Sequence, residues 1–431
     1  MEPSAMNNDN QLVTVSTGGE VIPFVKGNRE VEIDGQLYRI DGKSVNNTLL
    51  MLERTQTLHG VFIYDIFADD IMVAKCPPWE HATDFSPHRL VDPDDVTRFR
   101  GWLETIGIKT GSNDAHAAIV TAAKRNTVNP PKEYFETLHW DGIARLDTWL
   151  ADFCGADYQN PDYLKHVGSK WLIGAVARIY EPGCKFDTAL ILEGAPYLGK
   201  SEVFRILSTF NGKDYFCDQN LDFHKVDSLL VLQGKLIFEM AELANFRRAE
   251  SEDVKSFLSR QIDEYRSPYA RKVGRRPRMF VIGGSVNPNG GYLKDPTGNR
   301  RFWPVACRHI QLDALRLISS QLWAEAIVRY KANERYWLLD DEYRLAQIEQ
   351  ELRMEEDALA DDIQKAVDEI VLGRDDYGLR ISEVLDKMGI EPNQKSNAIA
   401  YRVKSYLTSN NWREERPRVE GKQLRLWYKQ Q

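Results

Sequence analysis

Apolar positions along the chain change their period several times, and each change marks an element. EVEIDGQLYRI (residues 30–40) alternates around an Asp-Gly pair and predicts a β-hairpin. DPDDVTRFRGWLETIG (92–107) and DAHAAIVTAAKRN (114–126) repeat every three to four residues and predict capped helices. A third helix is predicted in KEYFETLHWDGIARLDTWLADFCG (132–155), after the pair Pro130 and Pro131. Then the pattern alternates: helix LKHVGSKWLIGAVARIY, apolar strand TALILE, helix KSEVFRILSTF, and strands KLIFEM and RMFVIGG. Strands alternating with helices predict a parallel α/β sheet. Beyond residue 335 an acidic helical stretch serves as a lid or connector. Two short helices, ISEVLDKMG and NQKSNAIAYRVKSYLTSN, then precede a basic hairpin that turns at Glu420 and Gly421. That order predicts a winged helix.

The expected organisation is therefore a flexible tail (1–27), a mixed α+β N-terminal domain (28–160), a parallel α/β core (161–335), an acidic connector (336–372) and a winged helix (373–431). No apolar run reaches the ~20 residues of a membrane helix, and the start lacks the layout of a secretory signal, so a cytoplasmic protein is expected. The five cysteines form no CxxC pair, which argues against a zinc ribbon or a disulfide framework and for buried free thiols.

A net charge of −8 looks unsuited to nucleic acid until it is divided along the chain. Residues 246–310 hold 14 Lys and Arg against 6 acids, and residues 395–431 hold 9 against 3. Two basic segments in an acidic chain are what a polyanion such as DNA would need, since only the contacting faces must be positive.

The most specific motif is EGAPYLGKS (193–201). Gly194, Gly199, Lys200 and Ser201 complete G-x-x-x-x-G-K-[ST] between a strand and a helix, the setting of a phosphate loop. The loop residues Gly194, Ala195, Pro196, Leu198 and Gly199, with Glu202 beyond them, would surround ATP, free backbone N–H groups would wrap its phosphates, Lys200 would reach the β and γ phosphates, and Ser201 would ligate Mg2+. Such a loop needs an acid on a neighbouring strand. KLIFEM ends near Glu239, favoured as the magnesium acid, with Glu242 beyond as a water-activating base. Asn287, after RMFVIGGSV, is placed to orient water or the γ phosphate. Arg300 and Arg301 offer an arginine finger, one acting in trans and the other pairing within the chain. Asp69 and Asp70 are adjacent and make a poor two-metal pair, so primer synthesis is not expected.

These residues resemble the virulence-associated protein E family of phages and genomic islands, whose members look like superfamily 3 helicases. The matching strings are LHWDGIARLDTWL, KWLIGAVARIYEPGCKFDTALILEGAPYLGKS, LIFEMAEL, VKSFLSRQIDEYRSPYARKVGRRPRMFVIGGSVN and YLKDPTGNRRFWPV, in order from about 130 to 306. The loop reads GAPYLGKS where many relatives have a Gln-Gly pair, and SVN replaces the more usual Thr-Thr-Asn. The resemblance implies an AAA+ ATPase core, a homo-hexamer with ATP between subunits, and DNA as partner, with a primase or other replisome protein. It also implies a pore hairpin in SPYARKVGRRPRM, whose Arg271, Lys272, Arg275, Arg276 and Arg278 would grip single-stranded DNA. In the winged helix, Lys395, Arg402 and Lys404 would face duplex or origin DNA. A helicase that drives replication of a mobile element is the expected activity. An ATP-gated DNA-binding regulator or defence factor that does not unwind is the alternative.

Overall fold

The computed structural model describes residues 13–14, 21–23, 29–40, 45–156, 159–222, 225–241, 248–265, 273–287, 291–293, 299–354, 359–372, 378–390, 397–419 and 422–429. They gather into two units, the first of residues 1–139 with 210–215 and 229–236, the second of the remainder.

The first unit opens with the expected hairpin, Arg29–Ile33 against Gln36–Ile40. Asp34 and Gly35 both take positive φ at its turn, the conformation that matches strand twist. The predicted tail differs from expectation at two places. Val13–Thr14 and Val21–Pro23 pair in parallel with the hairpin's two strands, because an open sheet edge offers unpaired backbone groups to any short extended segment. Helix Pro93–Thr105 starts at a capping box in which Asp92 and Asp95 each accept from the other's amide. With Val45–Arg54 and Ser112–Arg125 it surrounds a core of Met51, Val61, Phe62, Phe99 and Ile119. Asp69 lies at positive φ in the turn between strands Phe62–Asp65 and Asp70–Val73, as befits a turn acid.

Residues 132–155 do not make one helix. Pro130–Thr137 and Trp149–Cys154 are separate, and Gly142 between them takes φ +85°. The intervening amides find another partner: buried Glu325 accepts from Arg145 N at 2.7 Å and Leu146 N at 2.9 Å. A buried carboxylate thus replaces helical acceptors.

The second unit is built on five parallel strands in the order Phe216–Cys217, Ile237–Ala241, Val281–Val286, Ala189–Glu193, Phe302–Ala306. Three of these match the predicted apolar runs; the two edge strands, short or interrupted by Pro304, carry no comparable signal. Helix Pro161–Tyr180, capped by Asn160, is buried along nearly its whole length and donates from Trp171 Nε1 to Ile282 O at 2.9 Å. Helix Leu312–Lys331 likewise anchors Trp323 Nε1 on Leu207 O. Gly283 lets the helix Lys200–Leu207 lie close on the sheet, since a Cβ there would sit 2.6 Å from the Phe204 ring.

Helix Asp340–Glu351 packs against the Phe302–Ala306 edge strand rather than standing apart as a connector. Helix Ala360–Val371 belongs with the C-terminal residues: Ile363, Ala366 and Val367 share a core with Leu379, Val384, Leu385, Val403, Leu407 and Trp427. Helices Ile381–Lys387 and Asn397–Ser409 and the antiparallel strands Trp412–Glu415 and Leu426–Lys429 complete that core. Cys154, Cys217 and Cys307 are buried and all five cysteines are free thiols. Among the described residues no helix is long and apolar enough to cross a membrane.

Candidate nucleotide site

Parallel strands all end on one edge of the sheet, and four predicted residues meet there. Ala189–Glu193 runs into the loop 194–199, and Lys200 and Ser201 open the following helix. Gly194 takes φ +155°, and a Cβ on it would lie 2.8 Å from Cys307 O, so only glycine fits. Tyr197 takes φ +63° and its side chain is exposed. A residue with a Cβ holds that left-handed shape at a cost of roughly 1–2 kcal/mol, which preserves a backbone path that glycine would follow freely. Ala195 and Pro196 are exposed, and Leu198 packs beneath Gly194. Glu202 points away to Arg316 at 3.4 Å and Arg205 at 3.7 Å.

Lys200 is 7% exposed. Its ammonium donates to Gly194 O and Ala195 O at 2.8 Å and to Asn287 Oδ1 at 2.9 Å. Burial lowers its pKa. Ser201 Oγ donates to Glu239 Oε1 at 2.8 Å. Glu239 is 2% exposed, and its Oε2 has no hydrogen-bond partner among the described residues. Burial raises its pKa, while the Ser285 and Ser201 hydroxyls pull it back. The acid is not on the strand beside the phosphate loop, as expected, but one strand further: Glu239 registers with Gly283, and Gly283 in turn with Leu190. The intervening glycines 283 and 284 have no side chains to block its reach. Ser285 follows them on the same strand, in register with Ala241 and Leu192, and carries no signal of its own in the sequence.

A hard divalent ion needs oxygen ligands, and magnesium is commonly held by one or two protein oxygens plus substrate phosphates. The orphaned Glu239 Oε2 beside the Ser201 hydroxyl fits that set. Among the described residues no cluster of three His, Cys, Asp or Glu could hold a metal alone. Glu242 lies outside the described residues.

Arg300 and Arg301 are at the opposite edge. Phe302 pairs with Ala189 and Ala306 with Glu193, so roughly 13 Å of strand separates their level from the loop. Arg301 turns inward to Ser259 Oγ at 3.0 Å and Asp187 at 3.8 Å. Arg300 is exposed and makes no ion pair among the described residues.

The predicted DNA-binding residues are not brought together. Strands Ile262–Tyr265 and Gly274–Pro277 form an antiparallel hairpin before the Val281–Val286 strand. Arg275 is exposed beside Glu264 at 3.3 Å, and Arg276 is half-buried. Arg278 is a correction: it is 3% exposed, forks onto Asp263 at 2.7 and 2.8 Å and stacks against Phe257. Buried, and spent on Asp263 and on Phe257 O, this guanidinium is not presented to DNA. Arg402 is half-buried, and Lys404 donates to Glu414 at 3.3 Å. Arg271, Lys272 and Lys395 lie outside the described residues.

The fold is a parallel α/β sheet that carries a glycine-lysine-serine loop at its carboxyl edge, the place where such sheets offer a binding crevice. The model of the virulence-associated protein E-like domain matches residues 135–355, and the chain belongs to that family. Among curated proteins none matches the sequence. Solved structures of the NrS-1 C-terminal region resemble the fold weakly. The A-form apo structure aligns at TM-score 0.44 and 11% identity over 84% of this chain and 94% of that one. An apo structure of residues 305–718 aligns at 0.44 and 13% over 85% and 95%.

Proposed function

We propose that the protein is an ATP-dependent DNA helicase or translocase that serves replication of a phage or other mobile element. The observation that carries this reading is the convergence of Lys200, Ser201, Asn287 and buried Glu239 on one sheet edge. Lys200 exchanges its carbonyl partners for β and γ phosphate oxygens, and loop amides hold the rest of the triphosphate. Ser201 and Glu239 would hold Mg2+, which would supply charge neutralisation at the phosphates. Asn287, fixed by Lys200, orients the attacking water through its amide. Glu239 or Glu242 takes the proton.

Arg300 lies too far along the sheet to touch its own chain's phosphates, which favours a finger acting on a neighbouring copy in a homo-hexamer. Arg301, paired within the chain, is the structural arginine. In this reading the core is of AAA+ type, and the hairpin of strands Ile262–Tyr265 and Gly274–Pro277 carries basic side chains to single-stranded DNA, Arg271 and Lys272 being part of the sequence that joins those strands. The C-terminal helices and hairpin serve as a winged helix on duplex DNA through Lys395, Arg402 and Lys404. A primase or other replisome protein is the natural partner.

The test is displacement of a labelled strand from a forked duplex, with Lys200→Ala alongside. ATP-dependent displacement that the variant loses supports a motor. Nucleotide-dependent DNA affinity without displacement supports an ATP-gated binder, the reading that the same loop and C-terminal core would also serve.

A further inference from the structure

The segment 340–354, part of the stretch 336–372 expected to be an acidic lid or connector, is tied to the core by several buried hydrogen bonds and ion pairs. Arg353 donates through Nε to Glu193, the residue that ends the phosphate-loop strand, and through Nη1 to Glu349 at 2.6 Å. Tyr292 Oη donates to the same Glu193 oxygen at 2.7 Å. Arg353 O accepts from two successive amides, Tyr292 N and Leu293 N, both at 2.9 Å. All four side chains are buried or nearly so. Glu349 also accepts from Gln159, whose other amide atom accepts from Ala306 N.

The same segment holds both ends of the turn that carries Arg300. Met354 Sδ accepts from Asn299 Nδ2 at 3.0 Å, immediately before Arg300, and Gln350 Nε2 donates to Phe302 O at 2.8 Å, just after Arg301. One short stretch of chain therefore grips the strand behind the phosphate loop, the residues after Asn287 and the Arg300 turn. Buried charges held this way are costly unless all partners are in place. Stability alone does not require them, since apolar residues of similar volume would do as well.

We infer that Arg353 is a positioning residue for Arg300: with Glu193 and Tyr292 it ties the strand bearing one subunit's nucleotide loop to the turn that subunit lends to its neighbour. This rests on the reading of Arg300 as a finger in trans. A loosened finger affects the transition state and leaves ground-state binding intact, so kcat and kcat/KM should fall together. Because the finger would act on the neighbour's site, the defect belongs to the donor subunit.

The experiment uses Tyr292→Phe, which removes one hydroxyl, and Arg353→Lys, which keeps the charge but loses the fork. In the full-length protein Tyr292→Phe should lower kcat for ATP about tenfold, with KM within about twofold. Mixing it with Lys200→Ala subunits, whose Arg300 is normally held, should recover turnover at Tyr292→Phe loops. Arg353→Lys should lower kcat further. Hydrogen exchange of amides 299–302 should quicken in both variants without change at 200–207. Unchanged exchange at 299–302 overturns the clamp, whatever the turnover. A raised KM, or a loss that mixing does not restore, assigns the clamp to its own loop and overturns the positioning of Arg300. Wild-type protein without turnover would overturn the ATPase reading instead, while the exchange result would still decide the clamp.

Discussion

Two regions gather polar residues, the loop edge of the parallel sheet and the basic hairpin before the Val281–Val286 strand. Their outcomes differ. At the sheet edge, residues up to 87 positions apart contact one another: Lys200 with Asn287, Ser201 with Glu239. At the hairpin, residues three positions apart part company, Arg275 in solvent beside Glu264 and Arg278 buried on Asp263. A spaced motif between a strand and a helix carries its own geometry, because parallel strands deliver their ends to one edge. A run of like charges carries composition only. On a two-residue alternation, successive arginines face opposite ways, and the one nearest the core finds a buried acid.

The largest effects should come from the sheet edge and its partner turn. Lys200→Ala should abolish ATP turnover while the circular dichroism spectrum and thermal midpoint stay near wild type; near-normal steady-state hydrolysis would remove the loop from the reaction. Arg300→Ala should lower kcat by roughly 10³ to 10⁵, the range for an arginine finger. Mixing it with Lys200→Ala subunits should restore part of the rate, since each supplies the half-site the other lacks. Arg301→Ala should instead lower the thermal midpoint through loss of Ser259 and Asp187. If the two arginine variants behave alike, the division between finger and tether fails.

Glu239→Gln should reduce kcat by roughly 10²–10⁴, the usual weight of a positioned acid or base, yet make the nucleotide-free protein more stable at neutral pH. Burial raises the carboxyl's folded pKa above the ordinary 4.5. The folded state therefore binds the proton more tightly than the unfolded chain, and stability from this group is lost as pH rises from 4.5 through the folded value. The amide carries no such penalty. Thermal melts should show a higher midpoint for Glu239→Gln at pH 7, shrinking toward zero below pH 4.5; a lower midpoint at pH 7 would mean the carboxylate is stabilised where it sits.

Much of this site was legible because its signals are local. The glycine-lysine-serine spacing, the strand TALILE before it and the acid near the end of KLIFEM each declare themselves within ten residues. Contacts made by tertiary packing were not legible. Glu193 reads as a strand end and Arg353 as one cation in an acidic helix, yet they meet across 160 positions. The break at Gly142 was hidden for the same reason, since Glu325 accepts its amides from far along the chain. Edge strand Phe302–Ala306 contains a proline and sits beside the charged Arg300–Arg301 pair, so its apolar run is too short to announce itself.

The hairpin should give smaller effects, and they should divide by burial. Arg278→Ala leaves Asp263 charged and unpaired in the interior, a change that typically costs about 3–5 kcal/mol. It should unfold at lower denaturant while the folded fraction binds single-stranded DNA with the wild-type salt dependence. Arg275→Ala should do the reverse, because an exposed pair with Glu264 contributes little to stability. A contact with one phosphate releases about 0.7 counterion from single-stranded DNA, so losing it should flatten the slope of log affinity against log salt by about 0.7. Fluorescence anisotropy with an oligothymidine across a salt series measures that slope directly. A slope changed by Arg278→Ala and untouched by Arg275→Ala would mean that the hairpin opens to meet DNA, and the buried ion pair would then be the latch rather than the anchor.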